Sequence, residues 1–247
     1  MLNVLIACEE SQTVCTAFRE LGHRAFSCDL QECSGGHPEW HVVGDCVPLL
    51  NGRCDFTTTD GKLHQQADRW DLVIAHPPCT YMSKAGARWM YPKAGELSQE
   101  RLALAMQAKD FFYTCYNADC EYVAVENPRP LAIVGLPNPS TVIQPYDFGE
   151  PYSKATYLWL RNLPPLMSTC CIANHRPYLP SNTGGKKKGQ KYSFGISKNQ
   201  KESSKTFRGV ALAMASQWSS FIEDEKNPLH TANPLTGETT IKNSQQR

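Results

Sequence analysis

The chain opens on an unbroken apolar run, Asn3 to Cys8 ("NVLIAC"). A short run without period-two alternation fits a strand buried on both faces, as in a parallel sheet covered by helices. Glu9 to Gln12 is a polar break. Thr13 to Leu21 then sets Val14, Ala17, Phe18 and Leu21 at helical spacing, and Gly22 is the stop. "RAFSCDL" follows as a second strand ending on Asp29. Strand, helix and strand within about 30 residues make a βαβ unit, the opening of a doubly wound sheet.

The remainder continues that alternation. "SGGHPEWHVVGDCVPLL" is a loop leading to a brief strand-like piece that ends at Gly44-Asp45, and "DLVIA" (Asp71 to Ala75) is another buried strand. Glu96 to Asn117 reads as a long helix, "EYVAVENPRP" as a strand ending at Glu126-Asn127-Pro128, and Gly209 to Ile222 as a final helix. The expected fold class is α/β, with a doubly wound, mostly parallel, Rossmann-like sheet. The expected organisation is a catalytic and cofactor-binding domain over 1–163, a small basic segment over 164–208, a helix over 209–222 returning to the domain, and a polar tail over 223–247.

At 247 residues and 27.6 kDa the chain has room for one such domain with a small attached lobe. A net charge of +1 excludes a uniformly basic protein. No window is apolar enough for a membrane span, and the start reads as a strand rather than a signal peptide. Eleven cysteines without paired CxxC spacing point to reduced thiols in a reducing cytoplasm. No metal is expected; Cys170, Cys171 and His175 suit one tetrahedral site poorly. Between Pro164 and Arg208, nine cations face only one acid, Glu202. They are Arg176, Lys186, Lys187, Lys188, Lys191, Lys198, Lys201, Lys205 and Arg208. Tyr178, Tyr192 and Phe194 lie among them. A solvated loop and a phosphate-binding segment both fit this composition.

In open α/β sheets ligands lie outside the carboxyl ends of the strands. Glu9 and Glu10 follow the first strand, Asp29 the second, Asp45 the third, Cys79 the fourth and Glu126 the fifth. An acid closing the second strand suits a ribose cis-diol, and Asp45 suits an adenine amino group. Each acid alone is equally compatible with a helix cap or a solvated loop. Cys79 stands behind Pro77 and Pro78, whose fixed φ angles stiffen the loop that presents it, as a nucleophile needs. A carboxyl at Glu126 can hydrogen-bond a heteroaromatic ring while a thiolate adds to it.

These residues carry a resemblance. "HPPCTYMS" resembles the Pro-Pro-Cys loop of DNA cytosine-5 methyltransferases, "VENP" their Glu-Asn motif, and "GDC" the block that holds the adenine of S-adenosylmethionine. "TFRGVALAMASQW" is similar to their closing block, and "FGEPYSKATYLWLRNLPPL" to the same region of small phage-encoded members. The resemblance implies attack by Cys79 on C6 of a flipped-out cytosine, with Glu126 on N3 and the exocyclic amine and Lys154 positioning Glu126 or the base. For the S-adenosyl-L-methionine cofactor it implies Ala7, Cys8, Glu9, Glu10 and Ser11 at the first turn. Asp29, Leu30, Asp45, Cys46 and Pro77 complete that pocket. For double-stranded DNA it implies Ser83, Lys84, Arg176, Lys186, Lys187, Lys188 and Lys191, on a monomer. The family's first turn is glycine-rich, whereas "ACEESQTVCTAF" has no glycine. Lys154 stands where the family has arginine. The alternatives are a catalytically silent nucleic-acid-binding or decoy protein, and a related pyrimidine C5-modifying enzyme acting on RNA or nucleotides.

Overall fold

The computed structural model describes residues 1–93, 95–179 and 200–227. Its strands are β1 (Asn3–Ala7), β2 (Arg24–Asp29), β3 (His41–Val43), β4 (Phe56–Thr57), β5 (Leu63–His64) and β6 (Leu72–Ala75). They continue with β7 (Tyr122–Asn127), β8 (Thr141–Ile143), β9 (Tyr152–Ser153), β10 (Thr156–Arg161) and β11 (Arg176–Pro177). The helices are α1 (Thr13–Glu20), α2 (Ala87–Met90), α3 (Gln99–Tyr116), α4 (Gln200–Ser204), α5 (Arg208–Ala213) and α6 (Ser219–Lys226).

Seven strands form one sheet in the order β3-β2-β1-β6-β7-β10-β8. The pairs β3/β2, β2/β1, β1/β6 and β6/β7 are parallel, and β10 runs antiparallel to both β7 and β8. This is the expected doubly wound, mostly parallel, Rossmann-like α/β fold. From β1 the sheet grows through β2 and β3 on one side and β6 and β7 on the other. The carboxyl ends of β1 and β6 therefore flank the topological switch point, where such sheets bind ligands.

Both faces are covered. Val4 and Ile6 join a core beneath α1 and the C-terminal helix, while Leu5 and Ala7 point into a second core with Ala105, Phe112 and Cys115 of α3. The C-terminal helix runs from α5 through a π-helical turn at Met214–Trp218 into α6. Trp218 is wholly buried, and its Nε1 donates to Pro164 O at 3.1 Å. Truncating an aromatic of this kind costs about 3–5 kcal/mol. Helix α5 lies so close to the 145–148 turn that a Cβ at Gly209 would come within 1.8 Å of Phe148 O.

Several boundaries differ from expectation, each for a local reason. Helix α3 starts at Gln99 because the Ser98 hydroxyl accepts the Arg101 N–H at 3.2 Å and caps the helix there. The final helix extends to Lys226, past the expected start of the tail, and Glu223 meets the N-terminal ammonium at 2.9 Å. Strand β10, which sequence periodicity did not single out, inserts between β7 and β8. The chain beyond Pro164 is tied to the domain: Leu166 is buried, Gly149 N donates to Cys170 O at 2.7 Å, and β11 pairs with β9. Lys186, Lys187, Lys188, Lys191 and Lys198 lie outside the described residues, as does the chain from residue 228. No described helix is long and apolar enough to cross a membrane.

Candidate active site at the strand ends

The loop after β6 is built as a rigid mount. His76 N donates to Ala7 O at 2.9 Å, which ties the loop's start to the end of β1. Asn127 Nδ2, from the Glu-Asn-Pro motif on β7, donates to Pro77 O at 2.9 Å. Met82 and Ser83 N–H groups both turn back to Cys79 O, at 3.1 and 2.9 Å, and Leu131 N donates to Met82 O at 2.8 Å. Arg101 from α3 reaches Thr80 O at 2.6 Å and lies over the Tyr81 ring. Cys79 is thus held half-buried at the end of a loop pinned from three directions.

Glu126, at the end of β7, accepts a hydrogen bond at 3.2 Å from the Nδ1 of His76, and both side chains are almost wholly inside. Burial alone would push the His76 imidazole towards neutrality; the Glu126 carboxylate outweighs it and holds His76 above the ordinary histidine range. Burial would likewise raise Glu126, but the hydrogen bond and charge of His76, with Lys154 behind them, hold its carboxyl below the ordinary range. Burial pushes the Cys79 thiol up, and the Glu126 charge adds to that; Lys154 and the Ser83 side chain act in the opposite sense. Cys79, Glu126 and Lys154, picked out from the sequence, therefore share one electrostatic site.

His76 was missed as a member, although it is the group in direct contact with Glu126. Sequence analysis gave that position to Lys154. Lys154 lines a hollow with Glu126, Thr156, Thr206, Phe207, Val210 and Met214, and its ammonium lies 5.7 Å from the Phe207 ring centroid. Most of those partners come from the C-terminal "TFRGVALAMASQW" segment. Two buried polar atoms here have no partner: His76 Nε2 and Asn127 Oδ1. An orphaned donor or acceptor beside a half-buried thiol is what a polar ligand would satisfy.

The first turn behaves differently. Cys8 and Gln12 take φ of 60° and 57°, the left-handed region that a glycine-rich turn would supply without strain. Glu9 is buried and caps α1: its carboxylate accepts the Val14 and Cys15 N–H groups at 2.7 and 3.1 Å. Each oxygen of this expected cofactor residue takes one of those two bonds. The Gln12 side chain grips His37, with Nε2 on His37 O at 2.8 Å and Oε1 accepting His37 N at 3.1 Å. That grip needs Gly35, where a Cβ would fall 2.6 Å from Gln12 Cβ and 2.7 Å from Ser11 O. Glu10 is buried beside it.

The remaining expected cofactor residues spread along the neighbouring strand ends. Asp29 closes β2 and accepts the Gln31 N–H at 2.9 Å. Asp45 is exposed after β3 and accepts the Val47 N–H at 3.0 Å. Each aspartate spends one oxygen on a local turn. Leu30 is 78% exposed, Pro77 is buried, and Cys46 lies with its Sγ 3.8 Å from that of Cys8. Ala7 is wholly buried and Ser11 bonds Thr13.

The expected DNA contacts divide. Lys84 is exposed, and its N–H holds Arg129 O at 2.9 Å. Ser83 is only 5% exposed and its side chain is turned towards Cys79. Arg176 is exposed on β11. Arg208 pairs with both oxygens of Glu20 at 3.2 Å, and Lys205 bonds Ser34, so these two cations are committed within the chain. Among the described residues no group of His, Cys, Asp or Glu is placed to hold a metal, and His175 stacks on Tyr146 at 3.9 Å.

No protein-family profile and no curated protein matches the chain. Among solved structures, it is similar to a proposed DNA modification methyltransferase encoded within an E. coli prophage. The TM-score is 0.37 with 15% identity, over 65% of this chain and 46% of that one. It is also similar to Spodoptera frugiperda DNMT2, with a TM-score of 0.34 and 14% identity, over 74% of this chain and 57% of that one. The chain spans about half the length of these structures. The fold rests on the strand order itself.

Proposed function

We propose that the protein is an S-adenosyl-L-methionine-dependent methyltransferase that modifies C5 of cytosine in double-stranded DNA through a transient Cys79–C6 bond. The observation that carries this reading is the convergence of Cys79 with the buried His76–Glu126 pair at neighbouring parallel strand ends.

The residues fit the cofactor. Asp29 keeps one carboxylate oxygen for a ribose diol and Asp45 one for an adenine amine, while the positive φ at Cys8 and Gln12 gives a glycine-free turn the backbone path of a glycine-rich one. When bound, S-adenosyl-L-methionine supplies the methyl group as an electrophile. The chain's own residues do the rest. Cys79 loses its proton to solvent and its thiolate adds to C6, moving charge onto the ring. The ionised Glu126 accepts from the exocyclic amine. The proton shared between His76 and Glu126 is available to N3 as charge develops there, and Lys154 keeps the carboxylate from drifting towards neutrality. Once C5 carries the methyl group that the cofactor would supply, loss of the C5 proton to water expels the Cys79 thiolate, and the N3 proton returns to the His76–Glu126 pair as the aromatic ring is restored. A base in a stacked duplex cannot reach Cys79, so the reaction requires it to be flipped out.

Nucleoside analysis of duplex DNA incubated with the protein and methyl-labelled cofactor tests this reading. Label in 5-methylcytosine, absent with Cys79→Ala, is the expected result. Label in another nucleoside, or none despite measured binding of both DNA and cofactor, overturns it.

A further inference from the structure

The Cys79 loop leads into a second feature that the reaction above does not use. Between Asp71 and Glu96 the chain carries no acid, and within that interval Lys84, Arg88 and Lys93 are all exposed. Set among them on and beside the four-residue helix α2 are Trp89, 58% exposed, and Tyr91, 42% exposed. Of the other tryptophans, Trp70, Trp159 and Trp218 are buried, and Trp40 is half-buried and stacked on His37.

The exposure of Trp89 is built in. Met82 and Met90, on either side of the platform, are wholly buried. Tyr91 N donates to Ala87 O at 2.9 Å, Ser98 N to Met90 O at 3.0 Å, and Gly86 N to Ser83 O at 3.0 Å. The base of the turn is fastened to the core and its aromatic side stands clear. The Arg88 guanidinium lies 4.6 Å from the Trp89 ring centroid, so a cation already sits over the indole. A large aromatic held out beside cations, with no acid in the segment, matches the stacking and charge preferences of an unpaired nucleobase on a phosphate backbone.

We propose that Arg88, Trp89 and Tyr91 form a stacking platform for an unpaired base of the nucleic-acid strand, with Lys84 and Lys93 on its phosphates. This rests on the reading of the substrate as nucleic acid and adds where an unstacked base is received outside the catalytic pocket. Stacking is sequence-tolerant, so the platform would secure strand opening rather than read sequence.

The test is a titration of tryptophan emission in the full chain, without cofactor, by an unmodified single-stranded oligonucleotide of roughly 12 nucleotides. Saturable quenching is expected, because Trp89 is the most exposed of the five indoles. W89A should weaken binding on the order of tenfold, while W89F should keep affinity within a few-fold and lose the quenching. K84A should lower the salt dependence of binding by roughly one unit of log–log slope. Wild-type affinity and undiminished quenching in W89A would overturn the proposal. So would a concentration-dependent change in Trp89 emission without oligonucleotide, which marks the platform as a contact between copies of the chain. Pairing the titration with a methylation assay of the wild-type protein separates the two readings. Trp89-dependent binding by wild-type protein that forms no 5-methylcytosine sinks the reaction and leaves the platform standing; methylation with no Trp89 dependence of binding does the reverse.

Discussion

The turn after β1 and the loop after β6 sit side by side at the carboxyl edge of the same sheet, yet they handle their polar groups in opposite ways. In the turn, Glu9 spends both carboxylate oxygens on α1 and Gln12 spends both ends of its amide on His37. Around the loop, His76 Nε2 and the Oδ1 of Asn127 on β7 stay buried without partners near a half-buried thiol. Side chains that close on the protein's own backbone hold the fold; side chains that stop one bond short wait for a ligand. Glu9 and Glu126 look alike in sequence; Glu9 closes on backbone N–H groups of α1, whereas Glu126 meets the side chain of His76.

The contrast is broken most sharply by exchanging carboxylates for amides. Glu126→Gln should lower the methylation rate about 10²–10³-fold, since it removes a preorganised group at the reacting ring, with little change in urea midpoint at pH values where His76 is neutral. Glu9→Gln should do the reverse. It weakens a buried cap of two N–H groups and should cost about 1–2 kcal/mol of stability, while activity per folded molecule stays within several-fold. Glu9→Gln protein that is fully folded and inactive would place the first turn in the chemistry. Gly35→Ala is a second probe of the closed turn. Its Cβ would meet backbone and Cβ atoms rather than a flexible tip, so a loss of about 1–3 kcal/mol in denaturant unfolding is expected.

Much of this contrast was legible in the sequence. The apolar runs of β1, β2, β6 and β7 fixed the parallel core, and the double proline marked Cys79. His76 was not legible as the partner of Glu126, because their contact joins residues on strands that pair only in the folded sheet. The burial of Ser83 was not legible either, because the turn of Met82 and Ser83 back onto Cys79 O is what folds it inwards. Glu9 was left open between a helix cap and a ligand-facing acid, because a cap reaching from before the turn to Val14 and Cys15 depends on left-handed backbone at Cys8 and Gln12, which no glycine announces.

Titration sharpens the comparison with smaller effects. His76 is held above its ordinary value, so its contribution to stability is complete at low pH and is lost as pH rises through its folded value. Glu126 is held below its ordinary value, so its contribution is complete at higher pH and is lost as pH falls through its folded value. Stability from the pair is therefore greatest between those two values, and Glu126→Gln should flatten the urea-midpoint profile on both sides. Alkylation of Cys79, followed on its own peptide by mass spectrometry, should keep accelerating above the pH at which an ordinary thiol levels off. Glu126→Gln should shift that profile to lower pH and Lys154→Met to higher pH.

The central claim is that Cys79 forms a covalent bond to the pyrimidine ring. Duplex DNA containing 5-fluorocytosine blocks the final loss of the C5 substituent and traps that bond. With S-adenosyl-L-methionine present, the expected result is a denaturant-resistant protein–DNA adduct whose linked peptide contains Cys79 and which Cys79→Ala abolishes. DNA and cofactor bound with no adduct, or an adduct that survives Cys79→Ala, would contradict the account.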